Sequence, residues 1–209
     1  QEPAEFQEAI RHEFQQFVAR QERPAPKITG LGTPDAKVEQ QPPITNYNFI
    51  TQDGFWKLNL TSSFIALSTL RYTRWEDFAQ KLDKAVAAFL QIYHADYFER
   101  VGLRYVNAIS KERLGLNDLL WDDLLQTPYI GILGEPDVDE KEVNKCSLDI
   151  ETRLGTDSRL KLHAGPGLLN GGKQDPKPRF ILDQDLSSVG KLTPDQLPER
   201  LEILHGFAG

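Results

Sequence analysis

The sequence contains no methionine and a single cysteine, Cys146. At an ordinary usage of about 2%, roughly four or five methionines are expected in a chain this long. Their absence implies that the 209 residues are a processed piece of a longer chain, or that methionines were carried as a modified residue. One cysteine cannot form an internal disulfide, which excludes a disulfide-held fold and makes a reducing compartment, the cytoplasm, the expected home. No stretch approaches the roughly 18 consecutive apolar residues of a membrane span. The amino end, Gln1-Glu2-Pro3, has no basic region leading into an apolar run. A soluble chain with no membrane partner is the expectation. Positive charge is also in deficit: 24 Lys and Arg stand against 31 Asp and Glu, a net charge of -7 that disfavours non-specific coating of nucleic acid.

What is present is enough to fold. Hydrophobic residues make up 39% and charged residues 26%, well away from the disordered regime. Residues 4 to 20 place Phe6, Ile10, Phe14, Phe17 and Val18 at helical spacing and predict an amphipathic helix. Five prolines and two glycines then make residues 21 to 45 read as an extended connector. Asp53-Gly54 is a turn signal. Phe55 to Leu60 and Phe64 to Tyr72, around Thr61-Ser62-Ser63, predict a β-hairpin. Thr73-Arg74-Trp75-Glu76 has the capping-box pattern, and Trp75, Phe78, Leu82, Val86, Phe89 and Tyr93 predict a helix ending near His94, with an Asp77–Lys81 pair on its polar face.

Tyr97 to Ile109 reads as a strand with Val101, Leu103, Tyr105 and Ile109 on one parity and Arg100, Gly102 and Arg104 on the other. A helical stretch around Leu114 to Leu125 and a weak strand at Tyr129 to Leu133 follow. Cys146 to Leu154 alternates as a half-exposed strand, Gly155 to Ser158 turns the chain into Leu160, Leu162 and Ala164, and Arg179 to Leu186 is a further strand. Thr193-Pro194-Asp195-Gln196 opens a last helix with Leu197, Leu201 and Leu204. The expected fold is α+β: antiparallel sheets built from two hairpin-plus-helix, ββαβ-like halves, with helices packed on one face. The halves are placed at residues 1–125 and 126–209, as two domains or one continuous one.

Few positions point to chemistry. Arg100 and Arg104 lie about 13 Å apart on one sheet face at roughly 3.3 Å per residue, with Gly102 leaving room between them and Asn107 beyond. Arginine's planar fork suits a carboxylate or phosphate, so Arg100, Gly102, Arg104 and Asn107 are the candidate ligand-binding residues. The structural alternative is that both arginines pair with acidic residues such as Asp149 or Glu151 on a neighbouring strand. Gly167 to Lys173 superficially resembles a phosphate loop. Position 174, however, is Gln where a Ser or Thr must stand, and prolines follow where a helix must begin. Gly165, Gly167, Gly171, Gly172 and Lys173 are instead candidate lid residues. His12, His94, His163 and His205 are scattered without metal-ligand spacing, and the acidic run from Glu135 to Glu142 lacks an EF-hand's glycine. Cys146 sits on the apolar parity of its strand, where burial makes it inert. No metal, cofactor or catalytic triad is assigned.

The segment Gly54 to Ile109, through Leu70-Arg71-Tyr72, Trp75-Glu76-Asp77-Phe78 and above all Arg100-Val101-Gly102-Leu103-Arg104-Tyr105-Val106-Asn107-Ala108-Ile109, resembles a sporadically distributed family of uncharacterised bacterial proteins. Leu204-His205 resembles that family's ending. The resemblance implies no activity, cofactor or catalytic residue; it implies a chain trimmed at both ends and an association with accessory or defence genes. The leading expectation is a non-enzymatic, cytoplasmic interaction module that uses sheet surface and edge strands to engage a protein partner or itself. The alternatives are a protein or enzyme binding an anion, phosphate or nucleotide through Arg100 and Arg104, and nucleic-acid binding on a sheet face that exposes Trp56, Tyr72 or Tyr105.

Overall fold

A computed structural model describes residues 3–30, 36–143, 145–168 and 177–208, and the fold is α+β with antiparallel sheets. The chain divides into two compact units, Gln1–Ala95 and Asp96–Gly209.

The first unit runs α1 (Ala4–Ile10), β1 (Gln16–Glu22), a small hairpin of β2 (Lys27–Thr29) and β3 (Lys37–Glu39), β4 (Ile44–Ile50), β5 (Trp56–Leu60), β6 (Ile65–Thr69) and α2 (Trp75–Tyr93). Its main sheet has the order β1-β4-β5-β6. The period-2 alternation of β4 and β5 turns Tyr47, Phe49, Leu58 and Leu60 to the helix side, where they meet Phe6 and Ile10 of α1 and Ala85, Ala88 and Phe89 of α2. Asn46, Asn48 and Asn59 take the other side and hydrogen-bond to one another.

Three sequence expectations change here. The helix expected over residues 4 to 20 stops at Ile10, and Phe17 and Val18 belong to β1, one on each face of the sheet. An aromatic and a β-branched residue suit a strand at least as well as a helix, and pairing with β4 decides the outcome. The connector at 21 to 45 contains the end of β1 and the β2–β3 hairpin. The capping box at Thr73 does not form: both the Thr73 hydroxyl and the Arg74 guanidinium donate to Asp77, at 3.3 and 2.9 Å. Asp77 is thereby committed to the helix start, and Lys81 turns instead to Glu13. The expected end at His94 is observed, with His94 in the left-handed conformation (φ 50°) and its amide bonded to the Leu90 carbonyl.

The second unit runs β7 (Phe98–Ile109), α3 (Lys111–Leu114), α4 (Trp121–Leu124), α5 (Thr127–Ile130), β8 (Leu148–Leu154), β9 (Ser158–Gly167), β10 (Arg179–Leu192) and α6 (Leu197–Ala208). The sheet order is β7-β10-β9-β8, every pair antiparallel. β7 therefore closes no ββαβ unit with the first hairpin: its ladder partner is β10, some 70 residues further on. Alternation identifies a strand but not its neighbour, which is why the expected boundary at 125/126 moves to 95/96. Tyr129 to Leu133, expected as a strand, is α5 followed by a 3-10 turn over Gly131–Gly134. Pro128 in the first turn presets helical φ. Ile130 and Leu133 close over Ala164 and Phe180. Leu197, Leu201 and Leu204 of α6 are buried, and the last helix begins as expected, with the Thr193 amide donating to Gln196 Oε1 at 3.0 Å.

No helix among the described residues is long and apolar enough to cross a membrane.

Glu13 ties α2 to the turn after α1 by accepting from Lys81 at 2.8 Å and Lys84 at 3.1 Å. Partial burial pushes this carboxyl up, but the two lysine hydrogen bonds outweigh it and hold the group below the usual carboxylate value. A depressed folded-state value stabilises above the unfolded value of about 4.3 and is lost as pH falls through the folded one. Glu13→Gln should cost about 1 kcal/mol at about pH 6. In urea unfolding curves, the gap between wild type and variant should narrow towards about pH 3.

Candidate functional site

The sheet of the second unit is two-sided because its strands alternate strictly. Val101, Leu103, Leu186, Leu162 and Ala164 share the packed side, and the tyrosine hydroxyl of Tyr105 on that side meets His205 Nδ1 of α6 at 3.0 Å. The other side is open and charged. Its residues stand in cross-strand rows: Arg104 is opposite Asp185, Asp185 opposite Lys161, and Lys161 opposite Glu151. In the next row Val106, Asp183, His163 and Asp149 are aligned in the same way. All of these except Val106 line a shallow, open depression of about 440 Å³.

Arg100, Gly102 and Arg104 come together on this face, but they do not form a clamp. Arg104 Nε donates to Asp183 Oδ1 at 2.8 Å, and its Nη2 donates to Oδ2 of the same carboxylate. Arg100 Nη2 donates to both oxygens of Asp185, at 3.0 and 3.3 Å. Arg100 has Val189 as its register partner, so it reaches Asp185 only by lying along its own strand across Gly102. A Cβ at Gly102 would sit 3.0 Å from Arg100 Nη1. The glycine's space is filled by the neighbouring arginine. Both arginine side chains remain more than half exposed, so each pair contributes at most about 1 kcal/mol.

The acidic partners differ from those considered in the sequence. β10 stands between β7 and β8, so Asp183 and Asp185 reach the arginines first. Asp149 instead meets His163 Nδ1 at 2.8 Å, and that hydrogen bond holds the Asp149 carboxyl below its ordinary value. Glu151 meets Lys161 at 3.2 Å. Asp183 and Asp185 were findable, since they alternate with Leu182 and Leu186, but nothing local marks β10 as the neighbour of β7. Asn107 leaves the site: it lies opposite Leu182, on the packed parity.

The lid candidates separate as well. Gly171, Gly172 and Lys173 lie outside the described residues. Gly165 and Gly167 belong to β9. Gly165 is buried, and a Cβ there would meet the Cys146 carbonyl oxygen at 2.4 Å. It is a packing glycine, because only a bare backbone lets the segment before β8 approach so closely. Cys146 itself is half-buried, its Sγ 3.7 Å from the Ile130 carbonyl. The acidic run is not wholly solvated: Glu140 accepts from Lys111 Nζ at 2.6 Å and from the Trp121 amide at 2.8 Å, and pins its loop to α3 and α4. Among the described residues, no three His, Cys, Asp or Glu side chains converge as metal ligands. The residues lining the depression include no Ser, Thr or Cys nucleophile beside the His163–Asp149 pair.

The two β9 glycines should respond differently to a methyl group. Gly165→Ala forces backbone apart and should cost about 2–3 kcal/mol. At Gly167 the nearest atom is the flexible Ile181 Cδ1 at 3.1 Å, so Gly167→Ala should cost well under 1 kcal/mol. Thermal denaturation of the two variants side by side measures the difference.

No family model, no curated protein sequence and no solved structure matches this chain.

Proposed function

We propose that this chain is a non-enzymatic binding module of the bacterial cytoplasm that engages a protein through the open, charged side of its second sheet. The observation that carries the reading is that both arginines of β7 already hold carboxylates of β10. A phosphate or nucleotide would have to displace Asp183 or Asp185, whereas a protein surface can meet the alternating charges as they stand. The depression is open and lined mainly by charged groups, unlike the enclosed, mostly apolar pockets that hold small ligands. Alternating cations and anions give register and partner choice more than raw affinity, which suits a reversible interaction. The outer edges of β7 and β8 frame this side as further docking positions for an extended segment. Against the stacking reading on nucleic acid, Tyr105, one of its three aromatic candidates, faces away from the arginines and bonds His205. The single cysteine and the likeness of the β7 segment to a bacterial family support the compartment and origin; linkage to accessory genes rests on that likeness alone.

Carbodiimide labelling of carboxylates compares the purified, dilute chain with the same tagged chain in an extract of cells that make it. Asp149, Glu151 and Asp185 should be protected in the extract while Glu76 and Glu202 label equally in both. Equal labelling throughout overturns the reading. So does tight binding of a nucleotide or oligonucleotide that Arg104→Ala abolishes.

A further inference from the structure

We infer that the partner is a second copy of this chain, docked face to face about a two-fold axis that runs along the strands between β10 and β9. This rests on the proposed binding role of the open face and names its occupant. Across the sheet the row Arg104, Asp185, Lys161, Glu151 reads plus, minus, plus, minus. Read from the other end, every sign is inverted. That is the property a two-fold interface needs, because the same patch must complement itself. Rotation about the strand direction exchanges β7 with β8 and β10 with β9 while leaving each row at its own height. Arg104 then faces Glu151 of the second copy, and Lys161 faces its Asp185. In the adjacent row Asp183 faces His163. The inversion follows from strict alternation across an even number of strands, and a slip by one row would set the pattern against a different one.

The remaining row limits the affinity. Gly102, Ser187, Arg159 and Arg153 are aligned. The two-fold brings Arg153 of one copy toward the Arg100 guanidinium of the other, which lies over Gly102. Sheets packed face to face splay at their corners because each is twisted, so this like-charge contact is held apart but not cancelled. A face four strands wide is at the small end of interfaces, and its charges stay close to solvent. The pair should be weak and sensitive to salt.

The test uses the whole chain and light scattering after size exclusion, from about 1 to 500 μM at low salt. The wild type should shift from monomer to dimer over this range. Raising ionic strength from about 50 mM to about 0.5 M should shift the midpoint at least tenfold upward, as screening shortens from roughly 14 Å to 4 Å. Lys161→Glu faces Asp185 across the axis and should be monomeric, and so should Asp185→Lys, which faces Lys161. Mixed one to one, the two variants should form a heterodimer, since each contact then joins opposite charges. Lys161→Glu mixed with Asp149→Lys should not, because those positions do not face one another. Arg153→Gln should move the wild-type midpoint to lower concentration. Circular dichroism melts confirm that each variant is folded, and Glu151→Lys with Arg104→Glu provides a second facing pair. A wild type that stays monomeric throughout overturns the inference, as does a dimer unaffected by Lys161→Glu, or variants that fail to rescue each other. Monomeric wild type with protected carboxylates in the cell extract sinks the second-copy assignment and leaves the binding face standing with another partner.

Discussion

The two-residue period of β10 is the constraint on which the second unit depends. Phe180, Leu186 and Ser188 are buried on its packed side, while Asp183 and Asp185 stand on the other. Because β10 is hydrogen-bonded to β7 on one edge and β9 on the other, the same alternation fixes which residues of both neighbours are open. A slip of one residue would drive the two aspartates into the core and bring Leu186 out to water. Burial of Phe180 and Leu186 therefore decides where the charges lie. The charge rows are a by-product of core packing.

The two units answer the same problem with different material. In the first, amides hold the centre of the side away from the helices, with Arg20, Glu22 and Lys57 around them: Asn59 Nδ2 donates to Asn46 at 3.1 Å and to Asn48 at 2.6 Å, and Asn48 is nearly buried. In the second it is covered by full charges in cross-strand pairs. Neutral amides satisfy one another locally and leave little field. Alternating charges satisfy one another too, yet Arg104, Lys161, Glu151 and Asp149 each keep more than half of the side chain exposed.

Much of the local structure was legible because it follows from short-range chemistry. The Trp56–Leu60 and Ile65–Thr69 hairpin, the long amphipathic α2 with its end at His94, the parity of β7 and the capped start of the last helix were all readable from neighbouring residues. What failed depended on distant ones. Phe17 and Val18 are strand residues only because β4 lies beside them, and Tyr129 to Leu133 curls because Ala164 and Phe180 need covering. The arginines were seen, and so was the possibility that carboxylates hold them. Which carboxylates do so depends on sheet order, and sheet order leaves no trace in local spacing. Gly102, read as open space, and Gly165, read as part of a lid, show the same limit: only the fold shows that the room beside each is already taken, by the Arg100 side chain and by the Cys146 carbonyl.

The reclining pose of Arg100 has one more consequence. An arginine standing off a sheet loses about 2 kcal/mol of rotamer freedom when a partner immobilises it. With its head laid over Gly102 and fastened at both oxygens of Asp185, Arg100 has already given up much of that freedom in the isolated chain. The sheet thus presents low relief and a side chain that is ordered in advance, so contact with another surface costs less disorder there than the count of long, charged residues implies.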